Sequence, residues 1–262
     1  MNIDAFLNRI QFEQTPSQNL ETLTHLQEQF LTHVPFENLT IQKSVPIDYH
    51  PLAVFDKVVE RKQGGVCYEL NSLFCYALLE MGFDARIIAA QMWPDKKPRE
   101  AWDYDHMAVI VALDGTEYLM DVGNGIYLGK PLAINNSDSS LSEGMRFHCE
   151  KYDDEHLILL CQPTSSAAEQ DTIEETIQRY VFKPSAVDRD DFKPACHFVE
   201  TSPDSKFVQN RIVSKWTPEG RITLSGNTLV KTDQDKNREE NTVAESDVNR
   251  VLEQYFGIGK TE

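Results

Sequence analysis

The hydrophobic pattern of this chain changes period once, near Ala85, and that switch constrains the fold more than any other feature. Before it, apolar residues recur at helical spacing. Leu20, Leu23, Leu26, Phe30, Leu31 and Val34 form one stripe, and Leu70, Leu73, Phe74, Ala77, Leu78 and Met81 form another. A shorter stripe of Leu52, Phe55, Val58 and Val59 lies between them. Gly64-Gly65 precedes the 67–81 stripe and Gly82 follows it, which is the punctuation a helix needs. After Ala85 the pattern is that of strands. Residues 85–92 and 106–113 are β-rich, and Asp114-Gly115 turns the second of them into 117–122 as a hairpin. Residues 146–152, 156–162 and 176–182 are further strands, the first two joined at Asp153-Asp154. This middle section predicts an antiparallel sheet or small barrel.

The last third predicts a hairpin of 211–216 and 221–224 around Pro218-Glu219-Gly220, with a strand at 228–231. Residues 233–241 (DQDKNREEN) read as an exposed charged linker. Val248, Val251, Leu252, Tyr255 and Phe256 mark a final helix, with a capping box expected at 242–245. Residues 137–140 and 165–170 read as short polar loops. The class is α+β.

Composition removes several functions. With 40% hydrophobic and 26% charged residues in 262, the chain is globular rather than disordered. Its longest apolar runs, such as 107–113, are strand-sized and fall short of the roughly 20 residues a membrane span needs. The N-terminus shows no basic region followed by an apolar block, so the cytoplasm is the expected location. A net charge of −17 repels phosphate backbones and anionic membranes, which argues against a nucleic-acid or membrane partner. The five cysteines are odd in number and contain no CxxC pair, so reduced thiols are expected.

Chemistry is concentrated in Gln63-Gly64-Gly65-Val66-Cys67-Tyr68-Glu69-Leu70-Asn71. The glycines allow a tight turn and place Cys67 in the first turn of a helix. Unpaired N–H groups and the positive end of the helix dipole favour a thiolate there. A free cysteine is otherwise a small buried hydrophobe, so position alone does not make it reactive; Cys75, Cys149 and Cys161 suit that description. A nucleophile needs a base and a group to orient the base. Antiparallel pairing about Asp114-Gly115 puts His106 opposite Gly123 and Asp121 opposite Ala108, so the two are diagonal neighbours at one end of a hairpin. Asp121 closes an apolar strand and needs a partner if it points inward. The alternatives are a solvent-bonded strand-start histidine and an aspartate capping the glycine loop. His25 and His33 sit on a helix as surface or helix-end groups. His148-Cys149 and Cys196-His197 are adjacent pairs whose side chains diverge, so no metal site is expected.

These residues resemble the arylamine N-acetyltransferases. Gly64-Gly65-Val66-Cys67-Tyr68-Glu69-Leu70-Asn71 is similar to the family's nucleophile segment, and Val34-Pro35-Phe36-Glu37-Asn38-Leu39 to its N-terminal motif. Tyr104-Asp105-His106-Met107 and Tyr118-Leu119-Met120-Asp121-Val122-Gly123 match the segments holding the other two triad members. The match is specific to about residue 125 and weaker beyond, where Gly220-Arg221-Ile222-Thr223-Leu224 is the best echo. The resemblance implies a helical N-terminal domain (1–84) carrying the nucleophile. A central antiparallel β-barrel (85–195) carries His and Asp, and an α/β lid (196–262) follows. The first two would form a cysteine-protease-like catalytic core.

The resemblance implies transfer of an acetyl group from acetyl-CoA to an arylamine, arylhydrazine or N-hydroxyarylamine, by a ping-pong route through acetyl-Cys67. His106 would hold the thiolate and Asp121 would steady the imidazole. The Cys67 backbone N–H would serve the oxyanion, and Phe36 and Asn124 would line the acceptor side. CoA is a co-substrate and no metal is implied. Two departures stand out. Gln63 replaces the arginine that pairs with Glu37 in the family, which questions the rigidity of Gly64-Gly65. Asn124 replaces a frequent phenylalanine, which makes the acceptor pocket less aromatic. Nothing in the triad itself excludes a Cys-His-Asp hydrolase or a transglutaminase-like enzyme, and a non-catalytic binding protein on the same fold is the third reading.

Overall fold

The structure is a computed structural model that describes residues 1–92, 104–125, 127–135, 138–142, 144–164 and 176–259. The N-terminal part is helical: α1 (Ile3–Arg9), α2 (Leu20–His33), α3 (Leu39–Gln42), α4 (Pro51–Phe55) and α5 (Cys67–Glu80). Local chemistry sets the boundaries. Asn19 caps α2 by accepting the Thr22 N–H at 2.8 Å, and Pro51 occupies the first turn of α4, where a missing N–H costs nothing. Helix α4 continues as one wider π turn through Asp56–Glu60. Gly82, with φ +86°, ends α5 in the left-handed region. The short strand β1 (Phe36–Glu37) interrupts the helical series.

The middle part supplies β2 (Asp84–Met92), β3 (His106–Leu113), β4 (Thr116–Met120), β5 (Leu132–Ala133), β6 (Ser140–Ser142), β7 (Met145–Lys151), β8 (Leu157–Pro163) and β9 (Ile177–Phe182). They form one antiparallel sheet in the order β5-β4-β3-β2-β9-β8-β7-β6, and β5 comes back against β7, so the sheet curls nearly closed. Asp114 and Gly115 both have positive φ, as a tight hairpin turn requires, and β3 pairs with β4 from Leu113 opposite Thr116 to Val109 opposite Met120. Strand β3 is buried on both faces. Ala108 and Ile110 face the barrel interior with Phe147, Tyr180 and Phe182, while Met107, Val109 and Val111 pack with Leu70, Phe74 and Leu78 of α5. That double burial explains an apolar run without alternation.

The final part comprises α6 (Lys193–Thr201), α7 (Lys206–Gln209), β10 (Ile212–Thr217), β11 (Gly220–Ser225), β12 (Thr228–Asp233), β13 (Arg238–Thr242) and α8 (Val248–Val251), which runs on as a π turn through Leu252–Phe256. The second sheet runs β1-β10-β11-β12-β13, so residues 36–37 are built into a sheet formed otherwise by the chain's last quarter. Asn38 clamps this junction: its Nδ2 donates to the Phe207 and Asn210 carbonyls at 2.8 and 2.7 Å, and its Oδ1 accepts the Ile212 N–H at 2.7 Å. Phe192 and Cys196, in turn, belong to the core of the N-terminal helices.

Three local expectations are corrected. The charged 233–241 segment is no linker: Arg238–Thr242 is an edge strand whose five residues are all exposed, so it carries no apolar alternation to reveal it. The 242–245 capping box does not form, because Thr242 ends β13 and Ala244 stands at the helical entry without a side-chain bond. Within 137–140, Ser140 begins β6; the 165–170 segment lies outside the described residues. The final amphipathic stretch is helical as expected. Val248, Val251, Leu252 and Phe256 pack on Val213, Leu224 and Leu229.

Candidate active site

Helix α5 and the β3–β4 hairpin bring Cys67, His106 and Asp121 together. Cys67 is the first residue of α5. Its N–H belongs to the first turn, whose donors have no acceptor within the helix. Gly123, two residues past Asp121, lies so close that a Cβ there would stand 2.6 Å from Cys67 Cα and 2.8 Å from Asn71 Nδ2. Only glycine lets the hairpin end approach the nucleophile's backbone this tightly.

The carboxylate is fully committed. Asp121 Oδ2 is 2.7 Å from His106 Nε2 and accepts the Tyr180 hydroxyl at 3.1 Å. Asp121 Oδ1 accepts from Asn71 Nδ2 at 3.0 Å and from the Gly123 N–H at 2.9 Å. So Asp121 both orients the histidine and caps the glycine loop, two roles the sequence left as alternatives. Asn71 is itself saturated: its Nδ2 also donates to the Met107 carbonyl at 2.6 Å, and its Oδ1 accepts the Val122 N–H at 3.0 Å.

Burial sharpens the electrostatics. His106 is 3% exposed and Asp121 0%. Burial alone drives an imidazole towards neutrality. Here the Asp121 charge and hydrogen bond, with a further hydrogen bond to Cys67, overcome it and raise His106 to about 10. Burial likewise pushes the Asp121 carboxyl up, but the imidazolium, Asn71 and the Gly123 N–H hold it below the ordinary carboxylate range. With Nε2 bound to Asp121, Nδ1 is the ring nitrogen left for the sulfur. Burial pushes Cys75 and Cys149 up to about 12, and raises Cys161 and Cys196 as well. Among the described residues no group of three His, Cys, Asp or Glu side chains gathers in a way that could hold a metal ion, and no helix is long and apolar enough to cross a membrane.

A cavity of about 570 Å3 is lined by Phe36 and Gly125, by Arg221, Thr223, Ser225, Asp233 and Arg238 of the second sheet, and by Lys236 in the turn between β12 and β13. Phe36 bridges to Gly65, two residues before Cys67, and its ring lies 5.8 Å from that of Phe207.

Comparison with known proteins gives the family. A family model described as N-acetyltransferase matches residues 19–261. Human arylamine N-acetyltransferase 1 is 29% identical over 281 residues, covering 98% of this chain and 94% of that protein. A pineal-gland isozyme of arylamine N-acetyltransferase from Gallus gallus is 30% identical over 240 residues, covering 86% and 81%. The arylamine N-acetyltransferase of Mycobacterium marinum, solved in complex with CoA, superposes with a TM-score of 0.85 at 26% identity, covering 98% and 93%. The chain belongs to the arylamine N-acetyltransferase family. It is an acetyltransferase.

Against that family, both departures acquire partners. Where the family has an arginine, Gln63 contributes only backbone: its carbonyl accepts from Arg9 Nη2 at 3.4 Å and its N–H donates to the Lys57 carbonyl. The cation facing Glu37 comes instead from Lys57, whose Nζ lies 3.6 Å from Glu37 Oε1 and 2.8 Å from Glu69 Oε1. Asn124 is buried, and its Oδ1 accepts from Arg179 Nη2 at 2.9 Å. Sequence reasoning missed Asn71, Lys57, Tyr180 and Arg179 as participants.

Proposed function

We propose that the chain acetylates arylamines, arylhydrazines or N-hydroxyarylamines from acetyl-CoA by a ping-pong route through Cys67. The observation that carries this reading is the buried His106–Asp121 pair at 2.7 Å, with His106 also bonded to Cys67 at the start of a helix. The Cys67 thiolate attacks the thioester carbonyl. The resulting oxyanion is met by backbone N–H at the start of α5. As the C–S bond to CoA breaks, the imidazolium gives its proton to the leaving thiolate. CoA departs as the thiol, leaving acetyl-cysteine and neutral His106. The amine then attacks the acetyl group, His106 takes its proton, and the amide leaves with the thiolate–imidazolium pair restored.

In this reading the cavity beside Phe36 receives CoA. Arg221, Lys236 and Arg238 supply positive charge to its phosphates, a local concentration of cations in a chain of net charge −17. Phe36 and Asn124 serve the acceptor side. Residues 1–84 and 85–195 build the core, and 196–262 close over it. A reducing cytoplasm suits five free thiols.

The test is direct. The protein is incubated with acetyl-CoA and no acceptor, digested and weighed. One acetyl group on the peptide containing Cys67, discharged by an added arylhydrazine, is expected. No adduct, or an adduct on Cys75, overturns the assignment.

A further inference from the structure

Lys57, Glu37 and Glu69 form a buried ionic group behind the nucleophile. All three are nearly inaccessible, at 7%, 2% and 2% exposure. One cation faces two carboxylates, which is a costly arrangement unless every oxygen is engaged. Here the engagements lead to the nucleophile. Glu69 Oε1 takes Lys57 at 2.8 Å, while Glu69 Oε2 accepts the Val66 N–H at 3.0 Å, the residue before Cys67. Glu37 Oε2 accepts the Leu39 N–H at 2.6 Å, and the Glu37 N–H donates to the Gly65 carbonyl at 2.9 Å.

The glycines show how little room is left. A Cβ on Gly65 would meet Glu69 Oε2 at 2.7 Å, and one on Gly64 would meet the Pro35 carbonyl oxygen at 1.9 Å. The backbone from 64 to 67 is therefore held on one side by the Glu69 carboxylate, through the Val66 N–H, and on the other by the main chain of Pro35 and Glu37, and Lys57 ties the two glutamates together. Without the ammonium, Glu37 and Glu69 repel one another beside the segment that presents the Cys67 N–H.

We propose that Lys57 is a positioning residue for acyl transfer, acting through Glu69 and Glu37 to fix the Cys67 backbone N–H where the oxyanion forms. This rests on the proposed use of Cys67 as the acetyl carrier. Lys57 touches neither substrate nor the reacting atoms. It acts on one donor geometry and leaves the Cys67–His106 pair alone. That separation makes it testable, because two reactions of the same sulfur differ in their need for an oxyanion donor. Alkylation by iodoacetamide displaces iodide and builds no oxyanion. Acylation by acetyl-CoA does.

Three variants are compared with the wild type: Lys57→Met, Lys57→Arg and the charge-balanced Lys57→Met/Glu37→Gln. Circular dichroism and thermal melting establish which are folded, and the double variant serves if Lys57→Met is not. The expected result for Lys57→Met is alkylation of Cys67 within about threefold of wild type while single-turnover acylation slows by about 100-fold, the scale of losing one oxyanion donor. The loss falls on kcat with KM nearly unchanged, and Lys57→Arg recovers most of it. If alkylation and acylation fall in parallel, Lys57 is merely structural and the proposal is overturned. Unchanged acylation in a folded Lys57→Met protein overturns it equally. Failure of the carrier assignment is seen separately, as absence of any acetyl adduct on wild-type Cys67.

Discussion

Replacing Asp121 with asparagine should leave the fold nearly intact and remove almost all activity, and the four hydrogen bonds of Asp121 show why. Asn71 Nδ2 and the Gly123 N–H, which meet Oδ1, can only donate. The new amide must therefore turn its oxygen to them and its NH2 to the other side. There it meets the Tyr180 hydroxyl and His106 Nε2. The hydroxyl can rotate to accept. The imidazole can accept only by moving its proton to Nδ1, the nitrogen facing Cys67. One amide orientation thus satisfies every neighbour, at a stability cost of about 1–2 kcal/mol for weaker hydrogen bonds. Catalysis has no such escape. A neutral imidazole with its proton on Nδ1 neither pairs with a thiolate as imidazolium nor receives a proton from the amine. The expected loss in single-turnover acylation is about 10^3- to 10^4-fold, or about 4–5.5 kcal/mol in the barrier. Stopped-flow acylation by acetyl-CoA, read beside the melting temperature, checks both halves. A rate within tenfold of wild type would refute the tautomer argument, and so would a His106 that still titrates near its wild-type pH.

Other outcomes follow from the same geometry. The His106 ring protons, followed by NMR, should titrate near pH 10 rather than 6.5. Because the folded state keeps a proton that the unfolded chain releases, stability from this group is full below about pH 6.5 and drains away as the pH climbs through about 10. Near neutral pH, substoichiometric iodoacetamide should label Cys67 first, with Cys75 and Cys149 held protonated by burial up to about 12; equal labelling of all five thiols on peptide mapping would contradict it. Gly123→Ala should abolish acylation while the barrel persists, since its Cβ would lie 2.6 Å from Cys67 Cα; wild-type turnover would show that the hairpin end need not approach so closely.

Much of this architecture is legible in the sequence because it is local. The Asp114-Gly115 turn sets the β3–β4 register, and the register alone brings His106 to Asp121. The cap of α2 at Asn19 and the stop of α5 at Gly82 are likewise properties of a few adjacent residues. Edge strand β13 is different. Its five residues are all exposed, so no burial pattern distinguishes REENT from a linker, and only pairing with β12 makes it a strand. Strand β1 is too short to show any period; the partner that defines it lies far along the chain at Val213 and Ser214.

Asn71 was hidden only in part, and it shows what a closer reading of a helix can yield. It stands four residues after Cys67, on the same side of α5, and is 0% exposed. A buried carboxamide must find partners for both its oxygen and its amide hydrogens. The flanking Leu70, Ser72 and Leu73 are equally buried, so the helix offers no route to water. The partners had to come from another element, and an aspartate closing an apolar strand carries the same unmet demand. Pairing these two needs yields the bond found, from Asn71 Nδ2 to Asp121 Oδ1 at 3.0 Å. One helix thus presents the nucleophile from its first turn and locks the carboxylate from its second. The bonds from Asn71 to Asp121 and to the Met107 carbonyl tie α5 to the hairpin that carries His106, one turn away from Cys67. The Lys57 group is less legible: the resemblance flags Glu37 as lacking its usual arginine, but nothing in the sequence picks Lys57 as the replacement until the fold brings it between Glu37 and Glu69.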